Sequence, residues 1–220
     1  MSVAPENWDG VEGTIGLLLR LRALGIMDET FLTHVEKTPH EHFVAPEHAR
    51  FASQPFPLPL PCGQLAHSPD TTIRMLDAAR LHAKNTVLEI GTGGGYQTAL
   101  LARMTKKVHS IDRYRMLITR AKDKLARLQL TNVTFDQADG LKLGENGALY
   151  DRIICDMSFD SMPRFLLDSL ASGGIIITAI GPDQGEQMVV RLMKIGSRFE
   201  REDLFPVRFA PLEPGLAKAL

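Results

Sequence analysis

The chain has 220 residues, a formal net charge of -1, 44% hydrophobic residues and 23% charged residues. This length suits one domain with a sizeable core, and the balanced charge leaves no basic excess for nucleic acid or an anionic membrane surface. The N-terminus lacks a secretory signal and no apolar run is long enough to cross a bilayer, so we expect a cytoplasmic protein with no membrane partner.

The first third of the chain predicts helices and a proline-rich loop. The pattern TIGLLLRLRALG is apolar at helical spacing and ends at Gly25, and a second helix should follow with Asp28 as its N-cap. Residues 54–64, QPFPLPLPCGQ, contain four prolines and a glycine. These residues exclude a helix or a central strand and predict a stiff, extended segment, which we call the proline-rich loop. Ser68 then caps a third helix, with Pro69 at its first position.

Strands and helices alternate through the rest of the chain. In order, they are strand TVLEI, a helix from about Gly95, strand KVHSID, helix RYRMLITRAKDKLARLQL, strands VTFDQAD and YDRIICD, helix MPRFLLDSL and strand GGIIITAI. This alternation predicts a doubly wound, mostly parallel α/β sheet of about seven strands, with MVVRLMKI and FPVRFAPL as antiparallel edge strands. We expect one domain over residues 1–220, with an N-terminal helical extension over 1–67 and a cofactor-binding core over 68–220.

Three side-chain groups are expected to have ordinary roles. The two cysteines lie far apart in sequence and predict free thiols. The H-E-H within PHEHF lacks further ligands, so we expect no metal. On the long helix, Lys122, Lys124 and Arg127 are expected to form a solvated face.

Residues 91–95, GTGGG, form a glycine turn between a strand and a helix. Glycines allow close approach of a nucleotide cofactor, and the helix offers its N-terminal amides to that cofactor. The dinucleotide fingerprint G-x-G-x-x-G would need a third glycine where Tyr96 stands. This departure counts against a nicotinamide cofactor.

Acidic residues mark the ends of three consecutive strands, at Glu89, Asp112 and Asp139. A carboxylate at a strand end about twenty residues after the glycine turn can accept hydrogen bonds from both ribose hydroxyls, so Asp112 alone suits either cofactor. The three acids around this turn fit S-adenosyl-L-methionine, with S-adenosyl-L-homocysteine as product, better than NAD. A nicotinamide oxidoreductase and a cofactor-binding module without catalysis remain alternatives.

Residues 87–102, VLEIGTGGGYQTALLA, resemble the E-I-G-T-G-S-G-Y-Q-T motif of the protein-L-isoaspartate O-methyltransferase family. Residues 24–44 are similar to the N-terminal helices of that family, residues 63–69 to its G-Q-T-I-S-Q-P loop, and residues 207–212, VRFAPL, to its V-R-F-V-P-L. The resemblance extends from about residue 14 to residue 216.

The resemblance implies a Rossmann-like methyltransferase in which the last two strands are swapped relative to most such enzymes. The implied reaction methylates the α-carboxylate of L-isoaspartyl residues in damaged proteins or peptides, and the ester then collapses to a succinimide. We expect a monomer acting on such chains. The implied cofactor-binding residues are Glu89, Gly91, Thr92, Gly93, Gly95, Gln97, Asp112, Arg113, Asp139 and Gly140.

The chain departs from the family at two places. The two hydroxyl residues of the family loop are replaced by Leu65 and His67, with a serine one place later at Ser68. The family's V-T-A-A-P is replaced by CDMSF, which places Asp156 at the end of the fourth strand. The candidate catalytic residues are therefore His67, Ser68 and Asp156.

Two interpretations of these departures stay open. In one, His67 donates a hydrogen bond to an acceptor carboxylate, as serine would, and Asp156 only caps the next turn. An acceptor carboxylate is already ionised at neutral pH and needs no base. In the other, Asp156 orients His67 as a base that activates a hydroxyl or amine acceptor.

Overall fold

The computed structural model describes residues 10–142 and 147–217, with side chains described from residue 13 onward. The outer ends of the expected domain lie outside these residues. The helices are α1 (Gly10–Ala23), α2 (Glu29–Glu36), α3 (Pro69–Ala78), α4 (Tyr96–Met104), α5 (Arg115–Arg127) and α6 (Arg164–Asp168). The strands are β1 (Leu58–Pro59), β2 (Leu65–Ala66), β3 (Thr86–Ile90), β4 (Lys107–Asp112), β5 (Val133–Gln137), β6 (Tyr150–Phe159), β7 (Leu170–Ile180), β8 (Gln187–Ile195) and β9 (Arg198–Val207).

Seven strands form one sheet in the order β5-β4-β3-β6-β7-β8-β9. Strands β3 to β7 are parallel, whereas β8 and β9 pair antiparallel at the edge, so the expected α/β fold is confirmed. The chain passes from β3 to β4 on one side and later returns to β6 on the other. The carboxyl ends of β3 and β6 therefore border a switch point, where ligands bind in sheets of this kind.

Both faces of the sheet are buried, because side chains alternate between the faces along each strand. Val87 and Ile175 pack with residues of α1 to α5 on one face. Leu88 and Ile176 pack on the other face, which is covered by the short helix α6 and neighbouring segments. No helix in the described part of the chain has both the length and the apolar character needed to span a bilayer.

The N-terminal extension is fixed by local caps and by one ion pair. Asp28 accepts hydrogen bonds from the amides of Thr30 and Phe31, which confirms it as the N-cap of α2. The extension is joined to α3 by Arg20, whose guanidinium contacts both carboxylate oxygens of Asp70 at 2.9 and 3.0 Å. The proline-rich loop continues from this extension and forms a small hairpin of β1 with β2.

The expectation that Lys124 belongs to a solvated face is wrong. Its Nζ donates hydrogen bonds to the carbonyl oxygens of Phe43 and Gly94, at 2.7 and 3.1 Å. Burial lowers the pKa of this ammonium group to about 8. Lys124 thereby joins α5 to the extension and to the glycine turn.

Candidate functional site

A cavity of about 420 Å³ opens at the carboxyl ends of β3, β4 and β6. Its volume lies in the range of cofactor and small-molecule sites. Three parts of the chain supply its walls: the strand ends, the proline-rich loop, and residues 208–213 after β9, here called the C-terminal segment. The polar and charged lining residues are Gln64, His67, Asp112, Arg113, Tyr114, Asp156, Arg208 and Glu213.

The glycine turn adopts backbone angles that side chains disfavour, and it is closely packed. Gly91 has a φ of +97°, and a Cβ atom there would lie 3.0 Å from the Cβ of Asp156. Gly95 has a φ of +88°, and its Cβ would lie 3.0 Å from the Cβ of Ala121. Gly91 thus permits the approach of β6, and Gly95 permits the packing of α5.

Asp112 lies at the end of β4 against the glycine turn. Its two carboxylate oxygens accept hydrogen bonds from the amides of Gly93, at 3.0 Å, and Tyr114, at 2.9 Å. Each oxygen keeps a further lone pair, so the carboxylate can also accept hydroxyl groups of a ligand. Burial raises the pKa of Asp112. The next residue, Arg113, forms an ion pair with Glu213 across the cavity.

Glu89 lies beneath the cavity and does not line it. Its Oε2 accepts hydrogen bonds of 2.5 Å from the hydroxyls of Thr98 and Ser110, and the Ser110 hydroxyl contacts that of Thr92 at 2.7 Å. Burial raises the pKa of Glu89 to about 8. Glu89 and Thr92 therefore support the turn from below.

A second, smaller cavity of about 30 Å³ lies between the glycine turn and the N-terminal extension. Gln97 lines it, and its side-chain amide makes no well-aligned hydrogen bond in the described ranges, although it lies close enough to Glu89 to oppose the rise in the pKa of that carboxyl. The hydroxyl of Tyr96 is also unpartnered there. Such a volume holds a water molecule or a small polar group. The structure thus places Gln97 beside this cavity instead of the larger one.

Asp139 and Gly140, both expected to bind the cofactor, are placed differently. Gly140 lines the larger cavity. The carboxylate of Asp139 accepts hydrogen bonds from the amides of Leu141, at 3.0 Å, and Gly215, at 2.9 Å. Asp139 therefore shapes the loop that presents Gly140.

Asp156 reaches the cavity because β6 is irregular. Between the pairs Ile154–Ile177 and Ser158–Ala179, β6 contains three residues and β7 contains one. A bulge of this kind redirects a side chain and is common beside active sites. Asp156 lies within β6, and its Oδ1 accepts no hydrogen bond from the described part of the chain, while the N-cap position of α6 is taken by Pro163.

The structure brings His67 and Asp156 together. Nε2 of His67 lies 3.2 Å from the carbonyl oxygen of Asp156 and 3.2 Å from its Oδ1. Only the carbonyl contact has hydrogen-bond geometry, and Oδ1 is buried with no hydrogen-bond partner in the part of the chain described. Burial raises the pKa of Asp156, while the nearby imidazole opposes this shift.

Ser68, the third candidate catalytic residue, is separated from this pair. Its side chain is buried and accepts a hydrogen bond of 3.2 Å from the amide of Thr71, as the N-cap of α3. It lines neither cavity. The adjacent residue His67 points the other way because the two lie on an extended segment.

Phe209 and Arg208 were not expected from the sequence as site residues. The ring of Phe209 stacks on that of His67, with centroids 3.8 Å apart and planes inclined by 20°. The side-chain amide of Gln187 holds the backbone of Phe209. Its Nε2 donates to the carbonyl oxygen of Phe209 at 3.1 Å, and its Oε1 accepts from the amide of Phe209 at 2.7 Å. The stretch VRFAPL was the available signal, since it formed part of the family resemblance.

A parallel sheet with a glycine turn and an acidic strand end at its switch point defines a nucleotide-cofactor-binding α/β protein. Within this class, the chain belongs to the protein-L-isoaspartate(D-aspartate) O-methyltransferase (PCMT) family, whose model matches residues 14–216.

Curated relatives agree with this assignment. A protein-L-isoaspartate O-methyltransferase from Bradyrhizobium sp. (strain ORS 278) is 39% identical over 202 residues, 92% of this chain and 94% of the relative. A relative of the same name from Parvibaculum lavamentivorans is 37% identical, and the match covers 96% of each chain.

Two solved structures establish the fold. A Plasmodium falciparum structure, assigned as a protein-L-isoaspartate O-methyltransferase in complex with S-adenosyl-L-homocysteine, has a TM-score of 0.77 and 20% identity, covering 90% of this chain and 97% of that one. A second protein-L-isoaspartate O-methyltransferase has a TM-score of 0.78 and 22% identity, and the match covers 92% of this chain and 67% of that one.

Proposed function

We propose that this protein transfers a methyl group from S-adenosyl-L-methionine to the α-carboxylate of L-isoaspartyl residues in damaged proteins or peptides. The observation that carries the proposal is the acidic, glycine-lined cavity at the switch point of a chain of this family. Relatives and neighbours named for this activity support it. The acceptor would be a protein or peptide segment, and the enzyme would act in the cytoplasm as a monomer.

The residues present fit a cationic cofactor with ribose hydroxyls. Three carboxyl groups, Glu89, Asp112 and Asp156, lie around the glycine turn. Burial is the main cause that raises the pKa of Glu89 and of Asp112, and the charge of Asp156 raises both further. A positively charged ligand would relieve this repulsion. When bound, S-adenosyl-L-methionine supplies a methyl group on a positively charged sulfur.

The residues of the chain would divide the remaining work between them. Asp112 would accept the ribose hydroxyls, and the backbone at Gly91 and Gly93 would lie against the cofactor. Gly140 would face the adenine. An acceptor carboxylate is ionised at neutral pH, so the protein would only need to position it beside the methyl group and exclude water, without removing a proton.

The test combines labelled S-adenosyl-L-methionine with an isoaspartyl peptide or its normal aspartyl twin, and scores base-labile methyl ester. We expect label on the isoaspartyl peptide alone. Label on both peptides, or on neither while S-adenosyl-L-homocysteine binds, would refute the proposed substrate.

Calorimetric titration with S-adenosyl-L-homocysteine tests the cofactor site separately. Asp112→Asn should weaken binding by about tenfold or more, since it removes hydrogen bonds to a charged group. Asp136→Asn is the matched control, because Asp136 lies on the adjacent strand, is exposed and pairs with His109. Equal affinities of the two variants would exclude Asp112 as a cofactor ligand.

A second candidate function is methylation of a hydroxyl or amine acceptor. The observation that favours it is the contact between His67 and Asp156, because a paired imidazole can act as a base. The two kinds of acceptor require opposite charge states of His67: a carboxylate needs a protonated ring, and a hydroxyl or amine needs a neutral ring that can accept a proton.

A further inference from the structure

His67 stands at the boundary of the two cavities and lines both of them. Its Nε2 is turned to Asp156 and one face of its ring is covered by Phe209, so the ring cannot rotate freely. No hydrogen bond within the described residues engages Nδ1. This nitrogen is therefore the one polar atom that the ring can offer to a bound molecule.

The contact with Asp156 determines what Nδ1 can do. The carbonyl oxygen of Asp156 only accepts hydrogen bonds, so Nε2 must carry a hydrogen. In the neutral ring, Nδ1 is then without a hydrogen and can only accept. In the protonated ring, Nδ1 also carries a hydrogen and can donate to a carboxylate.

Asp156 would oppose a carboxylate acceptor unless a cation lies between them. The bulge of β6 directs it to the cavity, and its Cβ packs against Gly91, so the strand holds it in place. An acceptor carboxylate in this cavity would share the site with Asp156, and two carboxylates that share a site repel each other. Its Oδ1 lies 3.2 Å from Nε2 of His67, so a protonated imidazole at this place would stand between the two negative charges.

The other groups around the two cavities supply one further cation. Besides Asp156, the titratable and charged residues that line these cavities together with His67 are Asp112, Arg113, Tyr114, Arg208, Glu213, His40 and Tyr96. Burial lowers the pKa of His40 to about 4, so this residue is neutral. The charges of Arg113 and Glu213 are paired with each other. Arg208 is the remaining cation, and it lies on the C-terminal segment.

We propose that His67 recognises the acceptor carboxylate as an imidazolium, with Nε2 held by Asp156 and Nδ1 donating to the carboxylate. His67 is then the specificity-determining residue for a negatively charged acceptor. Asp156 and Phe209 are positioning residues. This inference rests on the proposed function, and it gives this chain a dependence on pH that a hydroxyl residue at the same place would not provide.

The experiment measures kcat/KM for the isoaspartyl peptide between about pH 5.5 and 8.5, the range in which histidine ordinarily changes charge. Over this range the wild-type value should fall by about tenfold or more, because the acceptor stays ionised while the imidazolium is lost. His67→Asn supplies an amide donor whose charge does not change. Its profile should therefore be flatter, and its activity at low pH should be lower by about tenfold or more.

The ratio of wild type to His67→Asn isolates the imidazole, since both proteins share every other titrating group, Glu89 included. In Asp156→Asn, the fall in kcat/KM should occur at lower pH than in wild type, because the substitution removes the negative charge beside Nε2 of His67. His42→Asn is the control: this histidine is exposed and lines neither cavity, so its profile should match that of wild type. Urea unfolding of each variant confirms that it is folded.

Each remaining outcome overturns the inference in a different way. A ratio that does not change with pH would show that His67 donates no titrating proton. A ratio that rises with pH would show a neutral base and would support a hydroxyl or amine acceptor. Absence of turnover at every pH, with S-adenosyl-L-homocysteine bound, would refute the proposed function as well.

Discussion

Replacing Gly91 with alanine should destabilise the protein through two separable effects. At its φ of +97°, a side chain costs about 1–2 kcal/mol in conformational energy. The new Cβ would also lie 3.0 Å from the Cβ of Asp156 and 3.2 Å from the Cε of Met157. Crowding of this kind costs about 1–3 kcal/mol, so we expect a total loss of about 2–5 kcal/mol. For a domain of this size, that loss lowers Tm by about 4–20 °C.

The control for this prediction is Gly25→Ala. Gly25 has a similar φ of +89°, but no atom lies within 4 Å of the position its Cβ would take. The control should therefore show the conformational cost alone. Urea unfolding with matched m values gives both free energies of unfolding. Equal losses in the two variants would refute the reasoning that close approach of β6 requires glycine at position 91.

Three further predictions concern stability. Arg20→Ala should lower the free energy of unfolding, measured in urea, by about 1–3 kcal/mol, because it breaks the ion pair with Asp70. Arg22→Ala should lower it by less than about 1 kcal/mol, because the ion pair of Arg22 is exposed at both ends. Lys124→Met should lower the free energy of unfolding by about 1–3 kcal/mol, because two backbone carbonyls lose their donor. It should also weaken S-adenosyl-L-homocysteine binding in calorimetry. Lys122→Met should leave both quantities nearly unchanged. Burial raises the pKa of Glu89 from 4.5 to about 8, so the folded chain keeps a proton that the unfolded chain releases. The free energy of unfolding should therefore fall as pH rises across this interval. Glu89→Gln should make the free energy of unfolding depend less steeply on pH.

Each of these predictions has a result that contradicts it. Equal losses for the two arginine variants would mean that the pair with α3 does not anchor the extension. An unchanged affinity in Lys124→Met would separate this lysine from the glycine turn. A slope that persists in Glu89→Gln would place the titrating proton on another group.

The parts of the fold that were predictable depend on short stretches of sequence. The N-caps Asp28 and Ser68 act on amides two or three residues away, and the glycine turn follows its strand directly. The alternation of strands and helices was enough to place Asp112 at a strand end beside this turn. Strands β3 to β8 were correct for the same reason, since they are marked by their own hydrophobic patterns. The last strand was misplaced: β9 is Arg198–Val207, a mostly exposed and charge-rich stretch, and most of FPVRFAPL lies after it.

The parts that were missed depend on distant contacts. Lys124 lies 81 residues from Phe43 in the chain, and nothing in the helical pattern of α5 distinguishes it from its exposed neighbours. The bulge that directs Asp156 exists only in the pairing of β6 with β7. The stacking of Phe209 on His67 likewise joins residues from opposite ends of the domain, so the sequence could nominate His67 and Asp156 but could not show them in contact.

The C-terminal segment has a consequence for how the protein is made. After β9, the chain returns across the end of β6, where the amide of Ser158 donates to Ala210 and that of Leu212 donates to Ser158, at 2.9 and 3.2 Å. This returning segment forms one wall of the larger cavity. During translation, the ribosome therefore supplies that wall only after all seven strands of the sheet. A nascent or prematurely terminated chain that stops before residue 208 would lack this wall, including Arg208, and the ring of Phe209 that stacks on His67.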